Sequence, residues 1–328
     1  MKVLVTGGGG FLGSAICRQL CALNHSVVAF QRSAADSLSQ LGVEVIQGDI
    51  CDFAALSGAA IGCDAIIHTA GKAGIWGNRE DYWRINVTGT ETVIQVCRQA
   101  GVGILVHTSS PSIVQGGRDI EGGDESLPVN DKFLAPYPET KARAEKLALG
   151  ANSSNLKVNA LRPHLIWGPD DPHILPRLAA SVRRGKLALP GADKTIDTVF
   201  VENAARAHID AMNELAERAH SAGKAYFISN DEPMPQGKII GKLLRAVGVE
   251  AEIKPVPTWL VQVAGVICEL LWRRLKLKSE PPVTRFSADQ LSTAHWYNIS
   301  AAKRDLAYRA DISTELGLEI LRRASAAG

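Results

Sequence analysis

Residues 6–13 read Thr-Gly-Gly-Gly-Gly-Phe-Leu-Gly directly behind the apolar run Val3-Leu4-Val5. No other stretch restricts the fold as strongly. Glycine lets a backbone adopt positive φ and approach a ligand or another backbone closely. The start of a helix offers free N–H groups and the positive end of its dipole. Strand, glycine turn and helix start in that order make the phosphate-binding corner of a βαβ unit. The spacing Gly7, Gly10, Gly13 differs by one residue from the commoner Gly-x-Gly-x-x-Gly. Gly7, Gly10, Phe11, Leu12 and Gly13 are therefore expected to seat the pyrophosphate of a dinucleotide.

The chain beyond the turn supports this corner. Strand-like apolar runs fall at Lys2–Val5, Ser26–Phe30, Val43–Ile46, Ala65–His68, Ile104–His107 and Lys157–Leu161, and helix-like segments lie between them, most clearly about Phe11–Leu23, Asp81–Ala100 and Pro138–Ala148. Such alternation predicts an α/β chain with a Rossmann-type, doubly wound parallel sheet. After Pro163 prolines and glycines thicken, as in Trp167-Gly168-Pro169-Asp170-Asp171-Pro172. This predicts a dinucleotide-binding domain over 1–165 and a smaller, mostly helical substrate lobe over 166–328. Part of 197–229, a helix near Asn203–Ala216 and then Ala225–Ile228, is expected to return to the first domain.

The rim of the nucleotide site follows from the strand ends. An acidic residue after the second strand would bind the ribose hydroxyls of NAD and repel a 2′-phosphate. Here the residues are Gln31-Arg32-Ser33, and Arg32 and Ser33 suit a phosphate. NADP is expected over NAD. Asp49 and Ile50 follow the third strand, where a carboxylate can accept from the adenine amino group. Thr69 and Ala70 follow the fourth, where small side chains leave room for a ribose.

Tyr137-Pro138-Glu139-Thr140-Lys141 follows the fifth strand, with Ser109-Ser110 before it. Tyr137 and Lys141 share one helix face. A phenol near pKa 10 is a weak acid–base group at neutral pH, and a nearby ammonium is expected to lower it. Ser110 can hydrogen-bond the reacting oxygen. Hydride transfer on a carbonyl or alcohol is the implied chemistry, with Tyr137 as acid, Lys141 supporting phenol and ribose, and Ser110 orienting the substrate.

A net charge of +2 gives no reason to invoke nucleic acid. The six cysteines lack Cys-x-x-Cys or Cys/His ligand spacing, so neither a metal site nor a disulfide framework is expected. The start of the chain reads as strand rather than charged leader, and a reducing cytoplasm is the expected compartment. The stretch Thr258–Lys278 combines an apolar segment with Arg273, Arg274, Lys276 and Lys278. It reads either as a core helix of the substrate lobe or as an interfacial helix giving peripheral membrane contact.

These motifs together resemble the extended short-chain dehydrogenase/reductases, and within them the 3β-hydroxysteroid dehydrogenase-like branch. Gly48-Asp49, His68-Thr69-Ala70, Asn86-Val87-Thr88-Gly89-Thr90, Thr108-Ser109-Ser110, Leu161-Arg162-Pro163 and Asp197–His208 complete the pattern in family order. The resemblance implies a catalytic set of Ser110, Tyr137 and Lys141 with Asn86 in support. It places the backbone after Pro163 against the nicotinamide carboxamide and implies a homodimer through the helices bearing Asn86 and Tyr137. Lys72–Gly77, Leu165–Pro169, Leu175–Leu178, Ala225–Asn230, Pro281–Phe286 and His295–Tyr297 are similar, more narrowly, to bacterial reductases of 2-alkyl-3-oxoalkanoates in long-chain olefin biosynthesis. Gln31 departs from the asparagine of that pattern. The narrower resemblance implies an NADPH-dependent reductase of a hydrophobic β-keto acid. A β-lactone-forming enzyme and a decarboxylase would act next, with an assembly of pathway enzymes as one arrangement. A greasy channel would then draw on Ile75, Trp76, Trp167, Ile174, Leu178 and the Trp259–Trp272 segment, with Lys72 and Arg177 as receivers of the carboxylate. His164 and His173 are expected to be structural. The competing readings are a sterol dehydrogenase, a nucleotide-sugar epimerase with bound NAD, and a non-catalytic NADP sensor.

Overall fold

The computed structural model describes residues 1–183, 187–277 and 279–327. Seven strands form one parallel sheet: β1 Lys2–Thr6, β2 Ser26–Gln31, β3 Glu44–Gln47, β4 Ala65–His68, β5 Ile104–Thr108, β6 Lys157–Pro163 and β7 Ala225–Ile228. Their order is β3-β2-β1-β4-β5-β6-β7. Strand side chains alternate between faces, and each face has its own core. Val3, Val5, Ala29, Ile67 and Val106 pack on one face with Ile16 and Leu20 of the Phe11–Ala22 helix and with the Val201–Glu217 helix. Leu4, Val28, Ile66, Leu105 and Val158 pack on the other with Leu56, Val93, Val96 and Ala148. Two covered faces are why these strands read as unbroken apolar runs.

Most strands extend one or two residues beyond their apolar runs, ending on Thr6, Gln31, Thr108 and Pro163. These polar or proline residues read as loop, yet they hold the last rung of the ladder and carry the site. The single helix expected over Asp81–Ala100 is three pieces: Arg79–Tyr82, a π-helical turn at Trp83–Thr88, and Gly89–Ala100. π-turns often mark functional positions, and this one carries Asn86.

The second lobe is built on a short four-stranded sheet in the order Met234–Pro235, Thr195–Ile196, His295–Tyr297, Ile120–Gly123. Ile120–Gly123 comes from the first half of the chain, while β7 comes from the second. Helices Ile174–Arg183, Gln236–Ala246, Thr258–Arg274, Arg285–Ser292 and Thr314–Ala327 surround it. The Thr258–Arg274 helix corrects one expectation. It buries only Gly265 and Glu269, so it is not a core helix. Lys278 lies outside the described residues. No helix among the described residues is long and apolar enough to cross a membrane.

Candidate active site

The sheet order reverses between β1 and β4, and the crevice above that reversal is where open α/β sheets bind ligands. The glycine turn ends β1 at this point. Gly7 has φ +72°, and its N–H donates to the Phe30 carbonyl at 2.7 Å. A Cβ on Gly13 would stand 2.1 Å from the Gly7 carbonyl oxygen, and one on Gly7 would stand 2.9 Å from the Ala70 Cα. Neither position can hold a side chain without moving the turn. The helix from Phe11 begins at Gly10 with no side-chain cap and no acid in its first turn. Its free N–H groups and dipole suit a diphosphate.

The rim is laced to the same corner. The Thr69 hydroxyl donates to the Thr6 carbonyl at 2.8 Å, and the Ala70 N–H donates to the Thr6 hydroxyl at 3.3 Å. Arg32 and Ser33 are exposed beyond β2, and Arg32 makes no ion pair among the described residues. The Gln31 amide lies against Gly9 and donates to the Ser33 carbonyl at 3.0 Å, while its oxygen is buried without a partner. Asp49 accepts from the Cys51 N–H at 2.9 Å and from Arg84 at 2.9 and 3.1 Å, which hold its carboxyl below the usual range. An adenine amino group would share that carboxylate with Arg84. Ile50 is buried against Gly89. The fixed turn, the uncapped helix start and the orphan oxygen of Gln31 fit a dinucleotide.

The catalytic candidates meet above β5. Ser110 begins a short 3₁₀ turn, Pro111–Ile113, and its hydroxyl accepts from the Ser112 N–H at 3.2 Å. Tyr137 and Lys141 lie on the Pro136–Gly150 helix. Burial pushes the Tyr137 phenol above its ordinary value, and the neighbouring Ser110 hydroxyl offsets part of that rise. This overturns the expected lowering by Lys141. The Lys141 ammonium instead donates to the Thr108 carbonyl at the end of β5. Burial pulls Lys141 down to about 8, with Glu145 acting in the opposite sense.

Asn86 ties the parts together. Its amide oxygen accepts from the Lys72 N–H at 2.7 Å, and its amide nitrogen donates to the Lys72 carbonyl at 3.1 Å and the Thr140 hydroxyl at 3.0 Å. One side chain thus joins the loop after β4 to the helix of Tyr137 and Lys141. Pro163 ends β6, and the next N–H, of His164, donates to the Ile228 carbonyl at 3.0 Å.

Several supporting residues were not singled out from sequence. Arg162 Nε and Nη2 donate to Glu145 at 2.9 and 2.7 Å, a bidentate pair buried between β6 and the Tyr137 helix. Glu145 follows Lys141 by one helical turn, which was the available signal. The Thr108 hydroxyl lies 2.9 Å from His208 Nε2, and His208 Nδ1 lies 2.7 Å from the Ala204 carbonyl. Nδ1 therefore donates and Nε2 accepts. Burial, with Lys141 nearby, pushes His68 down to about 3 and His107 well below its usual range. His208 falls to about 4. All three are neutral near pH 7, so the packed interior behind Lys141 adds no cation to compete with it.

The substrate candidates need correction. Lys72 is paired with Asp81 at 2.7 Å and Arg177 with Glu280 at 3.1 Å, so neither is a free receiver of a carboxylate. Trp167 is fully buried, 5.1 Å from the Phe200 ring, with its indole N–H donating to the Thr198 hydroxyl at 2.9 Å. It is core, not channel wall. Trp76 is half-buried, with the Arg273 guanidinium 5.6 Å over its ring. His164 is buried and faces Asp197 at 2.5 Å and His295 at 3.1 Å, while His173 is exposed.

Comparison with known proteins extends these observations. The pattern of the 3-beta hydroxysteroid dehydrogenase/isomerase family matches residues 4–257. The chain is 47% identical over 330 residues to the 2-alkyl-3-oxoalkanoate reductase of Stenotrophomonas maltophilia, covering 100% of both chains. It is 33% identical over 324 residues to the mouse sterol-4-alpha-carboxylate 3-dehydrogenase, decarboxylating, covering 97% of this chain and 89% of that one. A structure of UDP-glucose-4-epimerase from Stenotrophomonas maltophilia with bound NAD shares the fold at TM-score 0.78 and 20% identity, covering 100% and 98% of the two chains.

Proposed function

The chain belongs to the 3-beta hydroxysteroid dehydrogenase/isomerase family, and from that premise we propose that it reduces a long-chain 2-alkyl-3-oxoalkanoate to the 2-alkyl-3-hydroxyalkanoate with NADPH. The family and the full-length similarity to a 2-alkyl-3-oxoalkanoate reductase make it an oxidoreductase. The observation that carries the chemistry is the meeting of Ser110, Tyr137 and Lys141 beside the crevice that the glycine turn opens.

A bound nicotinamide would supply a hydride to the C3 carbonyl carbon. The chain supplies the rest. Tyr137 is held as a neutral phenol by burial, the protonation state a proton donor needs, and it gives its proton to the C3 oxygen. Ser110 donates a hydrogen bond to the same oxygen and steadies its developing negative charge. Lys141, anchored on the Thr108 carbonyl, keeps a cation beneath the site while it remains protonated, where it can receive the ribose hydroxyls. Asn86 holds the loop after β4 against this helix, so the wall of the site and its acid move together. A phenol that stays protonated at neutral pH is ready to donate in the reduction.

NADPH is proposed over NADH from Arg32 and Ser33, which stand exposed where a 2′-phosphate would lie. Arg32→Glu is expected to move preference toward NADH, read as the ratio of kcat/KM for the two coenzymes. An unchanged ratio would remove Arg32 from the assignment. A role in olefin formation, with the product passing to later enzymes, rests on the narrower resemblance. A homodimer is likewise proposed. The outer faces of Gly89–Ala100 and Pro136–Gly150 carry Glu91, Arg98, Arg143 and Lys146, so pairing through them would be polar.

The similarity to the sterol dehydrogenase favours a second reading, oxidation of a sterol carboxylate. A competition assay decides between them. Coenzyme oxidation or reduction is followed with a 2-alkyl-3-keto acid and a 3β-hydroxysterol carboxylate, with products identified by mass, and conversion of a UDP-sugar to its epimer is followed by chromatography. Reduction of the keto acid alone supports the proposal. Turnover of the sterol or sugar without the keto acid would reject it.

A further inference from the structure

The Thr258–Arg274 helix is amphipathic in the wrong sense for a helix packed on a protein core. Trp259, Val263, Val266, Ile267, Leu270 and Leu271 recur at helical spacing on one face, and that face is turned to solvent. Trp259 is 64% exposed and Leu270 63% exposed. The opposite face holds Gly265 and Glu269, the helix's only acidic residue. Gly265 lets the helix lie on the Thr284 backbone, where a Cβ would meet the carbonyl at 3.0 Å. Glu269 accepts from the Arg285 N–H at 2.7 Å and from its Nε at 3.0 Å, and lies 3.5 Å from Arg273. The carboxylate is neutralised inside, and the apolar side chains are left outside. A contiguous apolar surface of this kind marks a binding face.

We propose that this face docks in the plane of an anionic lipid surface. Charge complementarity selects that occupant. Arg273, Arg274 and Lys276 are exposed at the C-terminal end of the helix and the turn after it, where they would meet lipid headgroups. Trp259 at the other end is an amphipathic ring suited to the membrane–water boundary. No acidic side chain on the exposed face would oppose this contact. The helix is too short to span, so contact is interfacial. Its basic end also reaches the site: Arg273 sits over Trp76, in the loop that Asn86 anchors through Lys72. The surface belongs to the second lobe and does not depend on the reaction proposed above.

The test is co-sedimentation of the full chain with phosphatidylcholine vesicles and with vesicles containing phosphatidylglycerol. Binding to the anionic vesicles is expected, weakening as salt rises. Leu270→Glu, and separately the pair Arg274→Glu and Lys276→Glu, should each reduce it roughly tenfold with an unchanged melting temperature. Ile61→Glu, at a residue 70% exposed elsewhere on the surface, should bind as the parent does. Absence of sedimentation with either vesicle, or binding that Leu270→Glu leaves intact, would overturn the proposal. So would concentration-dependent self-association that Leu270→Glu abolishes without any lipid binding, which would assign the face to a second copy.

Discussion

Tyr137 and Lys141 share a helix face, yet their environments pull them apart. The phenol is raised by burial and answered by Ser110, while Lys141 is drawn to the Thr108 carbonyl. Removing the phenolic proton should therefore remove catalysis alone. Tyr137→Phe is expected to lower kcat by about 10²–10⁴-fold with NADPH affinity retained, measured by fluorescence titration beside the rate. The sign of the Lys141 effect follows from its depressed value. The ammonium persists below about 8 and is lost above it, so kcat/KM for reduction should fall as pH rises through about 8. Folding stability moves the other way, because the unfolded lysine keeps its proton to its ordinary value of 10.5 and the folded one does not. Lys141 then penalises folding least above that range. A profile flat from neutral to alkaline pH would show that this proton is not required. The four-residue spacing and the place after β5 made this pair legible in the sequence. Ser110 beside the phenol was legible too, but the Thr108 carbonyl that receives Lys141 was not, since strand end and helix meet only once the sheet has formed.

Elements fix these groups in space. The buried Arg162–Glu145 pair clamps the Tyr137 helix to β6. Glu145→Gln leaves a buried guanidinium without its counter-charge, an imbalance that costs about 3–5 kcal/mol. A matching fall in the urea midpoint is expected, and an unchanged midpoint would mean the clamp adds nothing. At the other end of the site, Gly13→Ala would place a methyl 2.1 Å from the Gly7 carbonyl oxygen. The turn must shift, and NADPH binding should weaken at least roughly tenfold, since the diphosphate relies on that backbone. The glycine turn was legible because its residues, its strand and its helix are contiguous. The π-turn carrying Asn86 was not, because Trp-Arg-Ile-Asn-Val-Thr reads as ordinary helix and its partners, Lys72 and Thr140, are distant in sequence. The Thr258–Arg274 helix shows the same limit. Its composition was plain, but the direction of its apolar face depends on where Glu269 finds Arg285.

At the scale of the molecule, the alternation of strands and helices announced a parallel doubly wound sheet, and the order β3-β2-β1-β4-β5-β6-β7 is what converts it into a site. Strand order and the meeting of distant charges lie beyond a linear reading. Arg177 finds Glu280 more than a hundred residues away, and Ile120–Gly123 crosses into the second lobe. Both were misjudged or unseen for that reason. The whole fold brings together a dinucleotide crevice and the half-buried phenol of Tyr137, and the proposed reduction requires that they act in one reaction. Single-turnover reduction of a long-chain 2-alkyl-3-keto acid with NADPH carrying deuterium at both C4 positions is the decisive measurement. The account predicts deuterium at C3 of a 2-alkyl-3-hydroxy acid in the parent protein and its near-complete loss in Tyr137→Phe. Product without deuterium at C3, or equal labelling rates in the two proteins, would contradict it.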